Sequence, residues 1–402
     1  MVAGREWLNS SPVATEPKTG RPVVLWVSHD TRLNGAPRSL LLTLKALSGE
    51  VRSRVLLYQD GPLCRELERN SVPYRILRGR EGWGRWTVYA NWIRNFLETC
   101  WTAYREGSHL VYANSSARSQ SLLAGKWMGI PTALHIREMR LSRRGQRARR
   151  SLRYWITGWC ADRRVAVSSA TEERFRRIGP HRGTSRVVYN GIRPEDFPDA
   201  DVPKEEARRR LGIEGPGPWI GHIGSASRRK GVDVFLRMAA RILESHPDAQ
   251  FLVVGVEPNQ QARREGEFGE LCAALGSHLH WWPVRREVGI CFRALDVFCT
   301  LSRAEPFGLV NLEAALHRVP CVASAIDGHR EIHLPGQTGW LVPPENPAAA
   351  AAAVREILGN PGEAARRAEE ARQRALQYFT FENYAGGVRR NVWEVLGGGA
   401  AW

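Results

Sequence analysis

Two glutamates eight positions apart, Glu305 and Glu313, enclose Pro306-Phe307-Gly308-Leu309-Val310-Asn311-Leu312. The spacing alone says nothing, because Glu98/Glu106, Glu206/Glu214 and Glu257/Glu265 repeat it. The setting is what differs. A β-branched and aromatic run, Val297–Thr300, leads into a short loop, and Pro306-Phe307-Gly308 then reads as the opening of a helix through Leu316. The free N–H groups and positive dipole end of such a helix suit an anion or a polar sugar. Gly308 lets a ligand approach the backbone closely. Glu305 at the mouth is placed to face sugar hydroxyls, and Glu313, about two turns deeper, to accept from a ribose diol.

Three further segments carry chemistry-bearing residues. Gly221-His222-Ile223-Gly224-Ser225-Ala226-Ser227-Arg228-Arg229-Lys230-Gly231 follows a strand-like run and opens a helix. A glycine- and serine-rich turn ending in cations can cradle a diphosphate, with Lys230 as a point charge and Arg229 beside it. Leu33-Asn34-Gly35-Ala36-Pro37-Arg38 joins the first strand to the first helix. It is not Gly-x-Gly-x-x-Gly, so a dinucleotide fingerprint is not supported, yet Gly35 permits close approach and Pro37 suits a helix start. Finally, His135 ends the run Thr132–Ile136 and is expected to point into a cleft at the strand ends, to position an acceptor or relay a proton. Glu138 and His29-Asp30 stand at other strand ends as lesser candidates.

The elements that must position these residues alternate. Strands are expected at Val23–Ser28, Arg54–Tyr58, Tyr74–Leu77, His109–Ala113, Thr132–Ile136 and Arg164–Val167, with helices between, among them Pro37–Leu47 and Trp86–Tyr104. The rhythm pauses at Asn190-Gly191, at the proline- and acid-rich Arg193–Val202, and at Gly215-Pro216-Gly217-Pro218. A second series follows: Trp219–Ile223, Phe251–Gly255, His278–Trp282, Val297–Thr300 and Cys321–Ser324. The expected fold class is α/β, with two Rossmann-like doubly wound domains facing across a cleft. The expected boundaries are a loose arm over 1–20, an acceptor domain over 21–195, a sugar-nucleotide donor domain over 215–380, and a final helix over 381–396.

Glu305-Pro-Phe-Gly-Leu-Val-Asn-Leu-Glu313-Ala-Ala, with Val319-Pro320-Cys321-Val322-Ala323-Ser324 after it, closely resembles the donor-site motif of family 4 glycosyltransferases of the GT-B fold. Gly339-Trp340-Leu341-Val342-Pro343-Pro344 and Val187-Val188-Tyr189-Asn190-Gly191-Ile192 resemble the same family. The resemblance implies a retaining, nucleotide-sugar-dependent transferase. It implies that Glu305 contacts the donor sugar, that Phe307, Gly308 and Leu309 offer backbone amides, and that Glu313 takes the ribose. It also implies that Lys230 grips the diphosphate, that the loop at Gly35 reaches the donor phosphates, that His135 lies near the reaction centre, and that the last helix returns to the N-terminal domain. Many members carry an arginine just after the strand where this chain has His222 or Gly224; Arg229 is the candidate to replace it. Front-face displacement follows from the resemblance, since no carboxylate is placed as a nucleophile. Neither metal nor cofactor is expected, for no Asp-x-Asp stands near the site.

Composition narrows the remaining classes. With 43% hydrophobic and 25% charged residues the chain reads as globular, and no apolar run is long enough to span a bilayer. Seven scattered cysteines without Cys-x-x-Cys disfavour a disulfide framework or zinc site and fit a reducing cytoplasm. The net charge of +17 stands out, and eight arginines fall between Arg137 and Arg153. That segment is a candidate for an anionic membrane face or a phosphorylated or lipid-linked acceptor, at the inner side of a cell membrane. No recognised nucleic-acid motif accompanies the charge, so no nucleic-acid partner is expected.

Overall fold

The computed structural model describes residues 20–32, 35–77, 85–116, 119–138, 152–177, 183–213, 215, 217–255, 266–285 and 287–397. The expected arm and most of the arginine-rich segment, residues 139–151, lie outside these residues. The chain divides into two compact units, one holding residues 1–138, 142–189 and 382–402, the other 139–141 and 190–381.

In the first unit seven strands form one sheet: β1 (Val23–Ser28), β2 (Arg52–Leu57), β3 (Tyr74–Ile76), β4 (Leu110–Ala113), β5 (Thr132–Ile136), β6 (Arg163–Ala166) and β7 (Thr184–Val187). Their order is β3-β2-β1-β4-β5-β6-β7, and every pairing is parallel. Both faces are covered by helices, so β1 and β4 are buried along their whole length, the pattern of a sheet closed to water on both sides. The final helix, Phe381–Val395, packs in this unit: Arg389 Nε donates to Glu50 at 2.7 Å, and Arg186 to Glu394 at 3.1 Å.

In the second unit six parallel strands follow: β8 (Trp219–Ile223), β9 (Gln250–Val254), β10 (Leu279–Trp282), β11 (Val297–Thr300), β12 (Cys321–Ser324) and β13 (Trp340–Val342), in the order β10-β9-β8-β11-β12-β13. Side chains alternate between two cores. Phe251 and Val253 enter one with Phe235 and Val354, while Leu252 and Val254 enter the other with Phe292 and Phe298.

Two strands, β7 and β13, were not among those expected. Each is short, lies at a sheet edge and pairs on one side only, so neither carries a long buried run to be recognised by. In both sheets the order reverses between the first and fourth strands, at β1/β4 and at β8/β11. Loops leaving the carboxyl ends of neighbouring strands diverge there and leave a crevice.

Candidate functional site

The β8/β11 reversal brings together two segments 75 residues apart. After β8 the chain passes Gly224, makes one 3-10 turn over Arg228–Lys230, and enters the helix Val232–Leu243 through Gly231. Gly231 has φ +69°, and a Cβ there would stand 1.9 Å from the Leu301 carbonyl oxygen. Only glycine lets the cationic turn lie this close to the loop after β11. Arg303 locks the two together. Its guanidinium donates to both carboxylate oxygens of Asp233 at 2.7 Å and to the Arg228 carbonyl at 2.7 Å.

Glu305 therefore lies against the cations of the other loop. Lys230 Nζ donates to its Oε2 at 2.6 Å, and Arg229 Nη1 at 3.1 Å, Arg229 also reaching the Ala304 carbonyl at 3.0 Å. Glu305 is only 8% exposed. Burial alone would push its carboxyl up, but Lys230 and then Arg229 outweigh it and hold the group at about 2. It is a carboxylate at any ordinary pH, an acceptor for hydroxyls and no proton donor. A buried carboxylate thus lies directly beside two cationic side chains.

The helix beyond differs from expectation. It runs Leu309–Leu316, so Pro306 and Phe307 precede it, and Gly308 is its N-cap with φ +104°. A Cβ on Gly308 would meet Asn311 Nδ2 at 2.6 Å and Glu305 Cγ at 3.3 Å. The left-handed turn delays the helix and gathers Glu305 and the first helical amides at one place. Phe307 is buried with its ring 5.7 Å from that of Phe379, so its side chain anchors the loop and only its backbone is available. Leu309 is half-buried at the first helical position, and Glu313 is buried within the helix.

Behind the carboxylate stand residues that sequence reasoning passed over. Asp327, with φ +34°, accepts from the Glu305 amide at 3.4 Å, and Gly328 N donates to the Glu305 carbonyl at 3.2 Å. His329 is fully buried, its Nδ1 3.0 Å from the Ser324 carbonyl. Burial pushes its pKa down to about 4, although Glu305 draws it back up. Since a carbonyl only accepts, Nδ1 holds the proton and Nε2 offers a lone pair. Nothing in the local sequence announces these contacts, which depend on how β12 lies beside β11.

The first unit holds the other candidates. Gly35 is exposed and is itself the first residue of the helix Gly35–Ala46, so Pro37 is not the start; Leu33 and Asn34 lie outside the described residues. A Cβ on Gly35 would meet nothing within 4 Å. His135 does not stand free at its strand end. It is 0% exposed, with Nδ1 3.0 Å from both Tyr112 Oη and Arg137 Nη2, and its ring stacks on Tyr384 at 6.4 Å. Arg137 also donates to Tyr384 Oη at 2.9 Å and to Asn114 Oδ1 at 2.9 Å. The cover comes from the final helix, which strand-end reasoning could not foresee. Burial, then the Arg137 charge, holds the imidazole pKa well below normal. A guanidinium only donates, so the neutral ring carries its proton on Nε2, which has no hydrogen-bond partner among the described residues. The lesser candidates His29 and Glu138 do meet, His29 Nε2 lying 4.0 Å from Glu138 Oε1, and Ser116 Oγ donates to that carboxylate at 3.1 Å.

Comparison with known proteins agrees with this arrangement. Residues 203–374 match the family model for glycosyl transferases group 1, and residues 34–191 match that for the glycosyl transferase 4-like domain. The D-inositol 3-phosphate glycosyltransferase of Corynebacterium urealyticum is 34% identical over 213 residues, 51% of this chain and 50% of that protein. Glycogen synthase of Mycobacterium tuberculosis is 32% identical over 223 residues, 54% of this chain and 50% of that protein. The chain thus spans about half the length of these curated relatives in the matched region. The structure of Anabaena HepE in complex with UDP-glucose is similar at TM-score 0.80 and 20% identity, covering 92% of this chain and 99% of that one. At that identity the likeness establishes the fold, which is GT-B. Two adjoining family models of glycosyltransferase type, matched over both units, and the Lys230–Glu305 arrangement at the strand reversal agree: the chain belongs to the group 1, family 4 glycosyltransferases.

Proposed function

We propose that this chain transfers a sugar from a nucleoside diphosphate sugar to an acceptor hydroxyl, with retention of anomeric configuration. The observation that carries this is the contact between Lys230 and the Glu305 carboxylate at the β8/β11 reversal. In the proposal the donor enters between them. Lys230 and Arg229 turn to the diphosphate, and the amides of Phe307, Gly308 and Leu309 add their dipoles. Glu305 accepts from the sugar hydroxyls, and Glu313 from the ribose. Gly35 is assigned to the donor phosphates in the first unit. His135 is assigned to the reaction centre as a neutral Nε2–H donor, a role its burial restricts to hydrogen bonding.

Glu305 stays ionised and is engaged by two cations, which suits hydrogen bonding better than attack on carbon. The leaving diphosphate is then the base for the incoming hydroxyl, its charge stabilised by Lys230 and by the start of the Leu309–Leu316 helix. No metal has a part in this scheme. HepE was solved with UDP-glucose, so UDP-sugars head the donor panel. A glycan or lipid-linked acceptor in polysaccharide biosynthesis, reached from the inner membrane face, is the reading the basic charge favours.

The test is a thermal-shift screen against UDP-, GDP-, ADP- and TDP-sugars, repeated on Glu313→Ala. The wild type should be stabilised by one base class and the variant should lose at least tenfold in affinity. Unchanged affinity in the variant would sink the assignment. Product analysis separates transfer from the epimerase reading, since an epimerase returns a nucleotide sugar. Donor hydrolysis without acceptor argues against a binding-only subunit.

A further inference from the structure

The helix Arg85–Arg105 in the first unit is amphipathic in the wrong sense for a surface helix. Its buried face carries Asn95, Thr99, Thr102 and Ala103. The hydroxyls there are satisfied within the helix, Thr99 Oγ1 donating to the Asn95 carbonyl at 2.6 Å and Thr102 Oγ1 to the Glu98 carbonyl at 2.7 Å. The opposite face carries Ile93, Leu97, Trp101 and Tyr104, which are 54%, 58%, 45% and 80% exposed. These recur every three or four residues, a single stripe about 16 Å long at 1.5 Å per residue. A helix on a water-facing surface does the reverse.

Its neighbours continue the pattern. The helix Ser119–Trp127 packs beside it, buries Ser119, Gln120, Ser121, Ala124 and Gly125 along with Leu122, and ends on Trp127, which is 79% exposed. The helix Leu152–Cys160 packs next to that and exposes Trp155. Charge accompanies the aromatics. Two guanidinium groups lie over Trp101, Arg75 at 4.2 Å and Arg105 at 5.0 Å from its ring centre, Arg75 also pairing with Glu98 at 2.7 Å. Among the described residues, Arg94, Arg105 and Lys126 on these helices stand against Glu98 alone.

We propose that this helical layer is a docking surface for an anionic lipid bilayer, into which the Ile93–Tyr104 stripe inserts to headgroup depth. Indole and phenol rings prefer the boundary between water and hydrocarbon, and arginine pairs with lipid phosphate. A second copy of the chain is disfavoured, because a two-fold contact would set the basic residues against themselves. None of these residues belongs to the 139–151 arginine segment. The surface deepens the reading of a membrane-side acceptor but stands independently of donor chemistry.

The test is co-sedimentation of the full chain with phosphatidylglycerol vesicles and with phosphatidylcholine vesicles. Wild type should bind the anionic vesicles, more weakly as salt rises. Leu97→Ser/Trp101→Ser/Tyr104→Ser should lose at least tenfold in partitioning, and Arg105→Glu severalfold. Val284→Ser, at an equally exposed site in the second unit, should bind as wild type. Far-UV circular dichroism checks that each variant folds. The proposal is overturned if wild type ignores both vesicles or the triple variant binds unchanged. It is also overturned if wild type is a dimer in light scattering and the triple variant a monomer, which assigns the stripe to a second copy. A sugar-nucleotide thermal shift on the same samples keeps the two readings apart: loss of that shift in wild type counts against transfer and leaves vesicle binding standing.

Discussion

At the scale of single residues, the Lys230–Glu305 pair decides most. Glu305 has its carboxyl held at about 2, below the ordinary value of 4.5. A depressed carboxyl contributes stability that is complete above the unfolded value and lost as pH falls toward the folded one, so this contribution fades only between about pH 4.5 and 2. Glu305→Gln leaves Lys230 without its charge partner in a largely buried setting. Unfolding by denaturant should show a loss of about 1–3 kcal/mol, and turnover should fall at least a hundredfold, while Lys230→Ala should raise KM for the donor as well. The types of Lys230, Glu305 and Glu313 were legible in the sequence because the first two sit in strand-to-helix turns and the third in the helix that follows one. Their pairing was not, since 75 residues separate Lys230 from Glu305 and only the strand order closes that distance.

Among the elements, the two glycines at candidate loops separate shape from ligand contact. Gly231→Ala must find room 1.9 Å from the Leu301 carbonyl at φ +69°. It should cost about 2–4 kcal/mol, read as a lowered denaturation midpoint, with donor affinity falling because the cationic turn shifts. Gly35→Ala meets nothing within 4 Å and should leave the midpoint unchanged or slightly raised. Any loss of donor affinity there reports on the ligand alone; unchanged affinity removes Gly35 from the donor site. The start of the helix at Leu309 illustrates where reading stops. Proline at a first turn is a sound rule, yet the Gly308 turn, packed against Asn311 and Glu305, overrides it. β8, β11 and β12 match their expected spans because long apolar runs buried on both faces mark themselves. The edge strands β7 and β13 have no such mark. His135 was placed on the right strand, but its cover, Tyr384, comes from almost 250 residues away.

For the molecule as a whole, buried imidazoles set the acid limit. Burial holds His222, His329 and His333 at about 4, and His135 well below its ordinary value. The unfolded chain gains protons at these sites near pH 6.5 while the folded chain does not. Stability is therefore fully present above pH 6.5 and drains as pH falls toward 4, by roughly 1–2 kcal/mol per histidine between pH 7 and 5. A Tm that falls steeply across that window is the expected result; a flat Tm contradicts the neutral assignment. Replacing His222 by Gln should flatten part of the slope.

The discontinuous first unit also has a consequence for synthesis. Its sheet is complete by residue 189, but the lid over Arg137 and His135 is Tyr384, beyond the 190–381 stretch that builds the other unit. At 5–20 residues per second a ribosome needs about 10–40 s to cross that interval. Throughout it the nascent sheet carries an uncapped guanidinium and imidazole where the last helix will dock. Tyr384 is thus a late keystone, and truncating the chain before it should cripple the part made first.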